Sequence, residues 1–211
     1  MTSVAVVDYG MGNLRSVARA FESLFADVVV TSKARDLEQA ERIVLPGVGA
    51  FGEGMKNLRD LDLVDALEAQ VRGARKPFLG ICLGMELLAV DGREGGHHQG
   101  LGWIDATAVS LPASETLKAL HIGWNDVVPT RASVLFDGLG PSPNFYFVHQ
   151  YHLECRDRRV VVATTEYGGA IVAAVQSGNV AGLQFHPEKS QETGLALLQR
   201  FLRWQPERAA C

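Results

Sequence analysis

Cysteine is scarce: Cys82, Cys155 and Cys211 are the only three in 211 residues, an odd number and far apart. This excludes a disulfide framework and points to free thiols in a reducing compartment, so a cytoplasmic location is expected. There is no run of lysine or arginine, and 20 basic residues against 24 acidic ones leave a formal net charge of −4. No electrostatic face for nucleic acid is indicated, and no nucleic-acid partner is expected. No apolar stretch is long enough to span a bilayer and the opening residues lack the pattern of a secretory leader, so no membrane association is expected either. Repeats, linkers and low-complexity tracts are missing, and one domain over residues 1–211 is the simplest organisation. His97 and His98 are adjacent but have no third ligand at a useful spacing, so no metal is expected. The glycines between Tyr9 and Asn13 are spaced wrongly for a dinucleotide fingerprint, and no cofactor is expected.

What is present is an alternation of apolar runs and helical spacing. Residues 3–7 read as a strand ending at Asp8, followed by a loop and then by Leu14, Val17, Ala18, Phe21 and Leu24 at helical intervals. Strands are expected at 26–31 and 42–45, and helices at 34–41 and 58–72, with 46–52 a glycine-rich loop. Unbroken apolar strands alternating with helices predict a parallel sheet covered on both faces. Residues 91–100 are polar and rich in glycine and read as a mobile surface loop. Short strands are expected beyond it, at 103–111, 116–122, 127–128, 145–148, 153–155, 160–165, 171–175 and 180–183. The late strands pair as hairpins beside the parallel sheet, and a helix over 192–204 buries Leu195, Leu198, Phe201 and Leu202. The expected fold class is α/β, with a mostly parallel, mixed central sheet flanked by helices. Cys155 falls in an alternating strand pattern and reads as structural, whereas Cys211 is terminal and exposed.

The chemistry concentrates at two stretches. Lys76-Pro77-Phe78-Leu79-Gly80-Ile81-Cys82-Leu83-Gly84-Met85-Glu86 reads as a strand, a tight turn with a thiol at its tip, and a helix. Glycine two positions before and after Cys82 lets the turn close and a substrate approach, in the manner of a nucleophile elbow. The helix N-terminus behind the cysteine favours a thiolate and offers amides to an oxyanion. The second stretch, Gly182 through Ser190, runs a strand into His186, with Pro187 fixing the backbone and Glu188 two residues on. A nucleophilic cysteine needs a base, and the base needs a group that orients its ring. Cys82, His186 and Glu188 meet that need in type, although a lone cysteine is often only a small hydrophobe and a lone histidine an ordinary hydrogen-bonding residue.

Gly-Ile-Cys-Leu-Gly-Met around Cys82 and Phe-His-Pro-Glu around His186 resemble the class I glutamine amidotransferase family. Asp8-Tyr9-Gly10-Met11-Gly12-Asn13, Pro46-Gly47-Val48-Gly49, His121-Ile122-Gly123-Trp124-Asn125, Phe145 through His149 and His186-Pro187-Glu188-Lys189-Ser190 extend the likeness over nearly the whole chain. Within the family they are similar to the glutaminase subunits of imidazole glycerol phosphate synthases. The resemblance implies that Cys82 attacks the side-chain amide of L-glutamine, that His186 passes the proton to departing ammonia, and that Glu188 holds the imidazole. It implies oxyanion donors at the amides of Val48 and Leu83, and glutamine-binding roles for Gly47, Gly49, Glu86, Gln150 and Tyr151. It further implies an obligate heterodimer with a (β/α)8-barrel cyclase subunit that receives the ammonia, with Asn13, Arg15, Trp124, Asn125, Tyr146 and Lys189 at the partner face.

Two positions depart from the family's pattern. Glu86 stands where Gln is usual and Gln150 where Ser is usual. Glu86 lies one helical turn past Cys82, on the same face, and its charge is expected to raise the Cys82 pKa. Ala119-Leu120 replaces the frequent Val-Pro before His121. These changes keep open two alternatives to the histidine-pathway glutaminase: a related subunit serving another acceptor, and a relative that binds a partner without hydrolysing glutamine.

Overall fold

The computed structural model describes residues 1–114 and 117–206; Thr116, the first residue of one expected strand, and Cys211 lie outside the described residues. In chain order the strands are β1 (Ser3–Val7), β2 (Asp27–Thr31), β3 (Arg42–Gly47), β4 (Phe78–Cys82), β5 (Ala89–Gly92), β6 (His98–Gln99), β7 (Ile104–Ser110), β8 (His121–Asp126), β9 (Val128–Pro129), β10 (Asn144–His149), β11 (Tyr151–Cys155), β12 (Val161–Glu166), β13 (Ala170–Ser177) and β14 (Val180–Leu183). The helices are α1 (Leu14–Ser23), α2 (Ala34–Gln39), α3 (Phe51–Asp60), α4 (Leu63–Leu67), α5 (Leu83–Glu86) and α6 (Gln191–Arg203).

The main sheet has eight strands in the order β2-β1-β3-β4-β14-β13-β12-β9. β2 through β14 run parallel, and β13, β12 and β9 are added antiparallel, which is the mixed sheet expected from the late hairpins. Its parallel strands are apolar on both faces. Ala5, Val7, Ile43 and Leu45 join one core with α3 and α4, while Val4, Val6, Val44, Leu79 and Ile81 join the other with α1 and α6. A four-stranded sheet, β11-β7-β5-β6, and a two-stranded ribbon, β10-β8, complete the fold.

Register decides where the chemistry falls. Gly47 pairs opposite Cys82 across β3 and β4, and Leu183 pairs opposite Ile81 across β14 and β4. The carboxyl ends of three adjacent parallel strands therefore meet, and the chain leaves them at Gly47, Cys82 and, three residues past Leu183, His186. Such ends are where open α/β sheets place ligands.

Four expectations need correction. The helix expected over 58–72 is two pieces: α3 starts at Phe51 and stops at Asp60, Asp62 takes a left-handed conformation with φ 55°, and α4 then runs into a π-helical turn over Glu68–Gly73. The helix after Cys82 is a single turn, because Leu87 and Leu88 turn the chain into β5. The expected mobile loop at 91–100 is a short hairpin of β5 and β6, held by His98 Nε2 to the Glu94 carbonyl at 2.9 Å. The strand expected over 116–122 begins only at His121.

The glycines around Cys82 serve packing. A Cβ on Gly84 would lie 1.7 Å from the Leu45 carbonyl oxygen, and one on Gly80 would lie 2.4 Å from the Gly84 oxygen. Gly84 thus lets α5 rest directly on the backbone of β3 and does not border the cleft beside Cys82. Backbone has no rotamer with which to give way, so Gly84→Ala is expected to destabilise the protein by about 3 kcal/mol. Urea denaturation checks this: a parent-like midpoint would contradict the packing account.

Candidate active site

Cys82 closes β4 with φ 55° and ψ −112°, outside the regions open to most residues. Its side chain is turned away from the strand ladder and into a cleft of about 380 Å³. The cleft is lined by the 48–50 turn, by Cys82, Leu83 and Glu86, by Glu94, by Leu120, and by the 148–151 segment. Among residues expected at the site, Val48, Gly49, Leu83, Glu86, Gln150 and Tyr151 border it together. Gly47 lies behind, where a Cβ would meet the Tyr9 hydroxyl at 2.1 Å.

β10 fixes the relation between the two halves of the site. The Cys82 thiol donates to the Val148 carbonyl at 3.8 Å. Two residues earlier on that strand, the Tyr146 carbonyl accepts the His186 amide at 2.9 Å. Ser190 closes the arrangement, its hydroxyl donating to the His186 carbonyl at 2.6 Å and accepting the Tyr146 amide at 3.0 Å. The ring of His186 is then set by Glu188, whose Oε1 accepts from Nδ1 at 2.8 Å, with both side chains buried. Since Nδ1 donates, Nε2 of the neutral ring is the free base position, and it has no hydrogen-bond partner among the described residues.

Electrostatics run against the thiolate expected from the helix terminus. Burial pushes the Cys82 thiol strongly up, Glu86 adds to this, and the backbone amide of Leu83 opposes it only partly. A one-turn helix has little dipole to offer, so burial wins. Glu86 itself is buried and its pKa is raised to about 8, first by burial, with the hydrogen bond from Gln184 Nε2 at 2.9 Å opposing the shift and Glu94 adding to it. Gln150 borders the same cleft, but Glu86 bonds Gln184; the two departures from the family pattern do not form a pair.

Several participants were not legible in the sequence. Glu94, at the hairpin tip, borders the cleft and accepts the Phe51 amide at 2.7 Å, capping α3, which has no cap of its own. Tyr9 buries a hydroxyl that has no hydrogen-bond partner among the described residues, and its ionisation is pushed up by burial, Cys82 and Glu86. His149 borders the cleft within a buried chain. Its Nδ1 donates to the Tyr151 carbonyl at 2.7 Å, so its Nε2 must accept from His121 Nδ1 at 3.0 Å, and His121 Nε2 accepts from Asn125 Nδ2 at 3.1 Å. Burial lowers these rings to about 3 for His149 and about 4 for His121, so both are neutral. The signal that could have found the pair is the register that places His121 opposite His149.

The expected partner residues divide. Trp124 is half-exposed and meets Tyr146 edge-to-face at 6.0 Å, and the Lys189 ammonium lies over the Tyr146 ring at 5.8 Å. Ile122, which was not anticipated, stands exposed on the same strand, and Val48 is exposed as well. Asn13 and Arg15 are exposed, Asn13 capping α1. Asn125 instead turns its amide inward to His121 and the Glu166 carbonyl. Among the described residues no group of three or more His, Cys, Asp or Glu is arranged to hold a metal.

The family described as "Glutamine amidotransferase class-I" matches residues 5–204. The chain is 44% identical over 200 residues to "Imidazole glycerol phosphate synthase subunit HisH 1" of Campylobacter jejuni (strain RM1221), covering 95% of this chain and 99% of that protein. It is 47% identical over 210 residues to the HisH subunit of Zymomonas mobilis, covering 97% of each. Among solved structures, PurLQS from Thermotoga maritima superposes with a TM-score of 0.74 at 21% identity, covering 96% of this chain and 98% of that one. A glutamine amidotransferase from the same organism gives 0.61 at 21% identity, covering 96% of this chain and 81% of that one; at these identities the structures speak for the fold. The chain belongs to the class I glutamine amidotransferase family and, within it, to the HisH subunits.

Glu86 generates two testable outcomes. Above the Glu86 pKa of about 8, Glu86→Gln removes the negative charge beside Cys82, so the thiol pKa falls and alkylation by iodoacetamide at pH 9 speeds up, each unit of pKa giving about tenfold more thiolate. An unchanged rate would mean that the two side chains are not coupled. Because the folded-state pKa of Glu86 lies above its ordinary 4.5, the folded protein holds a proton that the unfolded chain has lost. Its contribution to stability is fully present below pH 4.5 and lost as pH rises through about 8. Glu86→Gln is therefore expected to raise Tm more at pH 9 than at pH 5, and an equal shift at both would contradict this.

Proposed function

We propose that this chain is the glutamine-hydrolysing subunit of imidazole glycerol phosphate synthase, a one-domain (1–211), cytoplasmic protein that supplies ammonia for histidine biosynthesis. Its likeness to HisH subunits over nearly their full length supports the assignment. The observation that carries the chemistry is that Cys82, which closes β4, and the Glu188-oriented His186, which follows the adjacent parallel strand β14, are both hydrogen-bonded to carbonyls of one strand, β10, at Val148 and Tyr146.

The reaction follows from these groups. Cys82 Sγ attacks the side-chain carbonyl carbon of L-glutamine while its proton passes to His186 Nε2. This proton movement suits a buried thiol that does not ionise beforehand. Charge develops on the carbonyl oxygen, for which the amides of Val48 and Leu83 are the assigned donors. Gly49, at φ 119°, gives the Val48 turn a conformation that tolerates local rearrangement. The C–N bond then breaks, His186 returns the proton to the leaving nitrogen, and ammonia departs. The glutamyl thioester on Cys82 is cleaved by water, from which His186 takes a proton, yielding glutamate and the free thiol. Glu188 holds the ring and stabilises the imidazolium in both halves. Glutamine is bound by Gly49, Glu86, Gln150 and Tyr151, which border the cleft, whereas Gly47, expected among them, lies behind it.

The ammonia acceptor sits on a separate (β/α)8-barrel cyclase, the obligate heterodimer partner. Ile122 and Trp124, exposed apolar residues beside Tyr146 and Lys189, with Asn13 and Arg15, supply the docking face. Glutamate release from L-glutamine is expected to be low for the chain alone and strongly stimulated by the organism's own cyclase with its nucleotide ligand. Cys82→Ala should lower the stimulated rate about 1000-fold or more. Stimulation by a different synthase would transfer the assignment to another acceptor. Binding without any release would favour a non-hydrolysing role.

A further inference from the structure

The glycine-rich loop between Tyr9 and Asn13 does not border the cleft, but it closes on the turn that carries Val48. Gly12, at φ 113°, comes so near that a Cβ on it would lie 3.2 Å from the Gly47 Cα. The Met11 side chain lies against Gly49, where a Cβ would meet its Cε at 2.6 Å. Tyr9 completes the contact, since a Cβ on Gly47 would lie 2.1 Å from its hydroxyl oxygen. Gly47 in turn pairs opposite Cys82 across β3 and β4. Tyr9 is 1% exposed, and its hydroxyl has no hydrogen-bond partner among the described residues. Burial, Cys82 and Glu86 all oppose its ionisation, so the hydroxyl keeps its proton and can donate. A buried donor without an acceptor is costly and calls for a partner that the resting arrangement does not supply.

We propose that Tyr9 is a positioning residue for the oxyanion donor: its hydroxyl donates to the Gly47 carbonyl when the Gly47–Val48 peptide aims its amide into the cleft. In a trans peptide the carbonyl and the amide N–H point to opposite sides. Val48 borders the cleft, and Gly47 lies behind it against the Tyr9 hydroxyl. An amide aimed at the substrate oxygen therefore sends the Gly47 carbonyl to the side that Tyr9 occupies. Rotation about the two bonds flanking the peptide accomplishes this, and glycine at 47 tolerates the change. The ring is packed in the core, so the hydroxyl is a fixed point that locks the peptide in its donor orientation. The inference rests on the glutaminase reading, with Val48 as a donor, and adds to it a residue that does not border the cleft.

Tyr9→Phe removes the hydroxyl and keeps the ring, and it is tested in the complex with the organism's own cyclase and its nucleotide ligand. For glutamate release from L-glutamine, kcat is expected to fall about tenfold or more with KM nearly unchanged, because the hydrogen bond acts only as charge develops on the substrate oxygen. Tyr9→4-aminophenylalanine, which restores a donor, is expected to recover most of kcat. Alkylation by iodoacetamide forms no oxyanion, and its rate on the peptide carrying Cys82 is expected to match the parent. Tm is expected to stay within about 3 °C of the parent or to rise, since the hydroxyl has no partner to lose in the resting protein. Three results would overturn the proposal and leave the glutaminase reading standing. Parent-like kcat in Tyr9→Phe would make the hydroxyl idle, alkylation slowed as much as turnover would place its action on the thiol, and a larger fall in Tm would assign it to the fold. Absence of Cys82-dependent glutamate release from the parent complex would overturn both.

Discussion

The backbone of Cys82 is the constraint on which the site depends. A non-glycine residue at φ 55° and ψ −112° costs on the order of 1–3 kcal/mol, and it persists only where neighbours leave no alternative. Here β4 is paired on both sides through Ile81, and α5 is seated on β3 through Gly84. The chain must therefore reverse within one residue, and the residue that reverses presents its side chain to the cleft. The strain is supported by packing that has no other place to go.

The second constraint is the burial of charge. The site sits among acids and neutral rings, and burial raises Cys82 and Glu86 while lowering His121 and His149. Burial disfavours charge on the Cys82 thiol and on the Glu86 carboxyl alike. Glu94 ties this electrostatic arrangement to geometry, because the carboxylate that borders the cleft also caps α3, directly after the turn that carries Val48.

The parallel sheet, the elbow at Cys82 and the His186–Glu188 contact were readable because each is a local pattern: an apolar run stopped by Gly or Pro, or two residues within one turn. The failures have equally specific causes. Phe51–Asp60 contains Gly52 and Gly54, which lower helix propensity, and α3 forms because Phe51, Met55 and Leu58 find a core. Leu87-Leu88-Ala89 are good helix formers, yet β7 recruits Ala89 into a second sheet. Glu94 lies in a polar, glycine-rich stretch with no periodicity, so its place in the cleft is a property of tertiary structure alone. The His121–His149 pair needed a register between strands that sequence spacing does not carry. The thiolate expected at Cys82 failed because a helix start is visible in sequence and complete burial is not.

The central claim is that Cys82 is the nucleophile toward glutamine. Rapid acid quench of the partner-stimulated enzyme during turnover, followed by peptide mass spectrometry, tests it most directly. The account predicts a single glutamyl adduct on the peptide carrying Cys82, labile to hydroxylamine and missing in Glu86-intact Cys82→Ser protein. Turnover with no adduct on that peptide, or a glutamyl group on another residue, would contradict it.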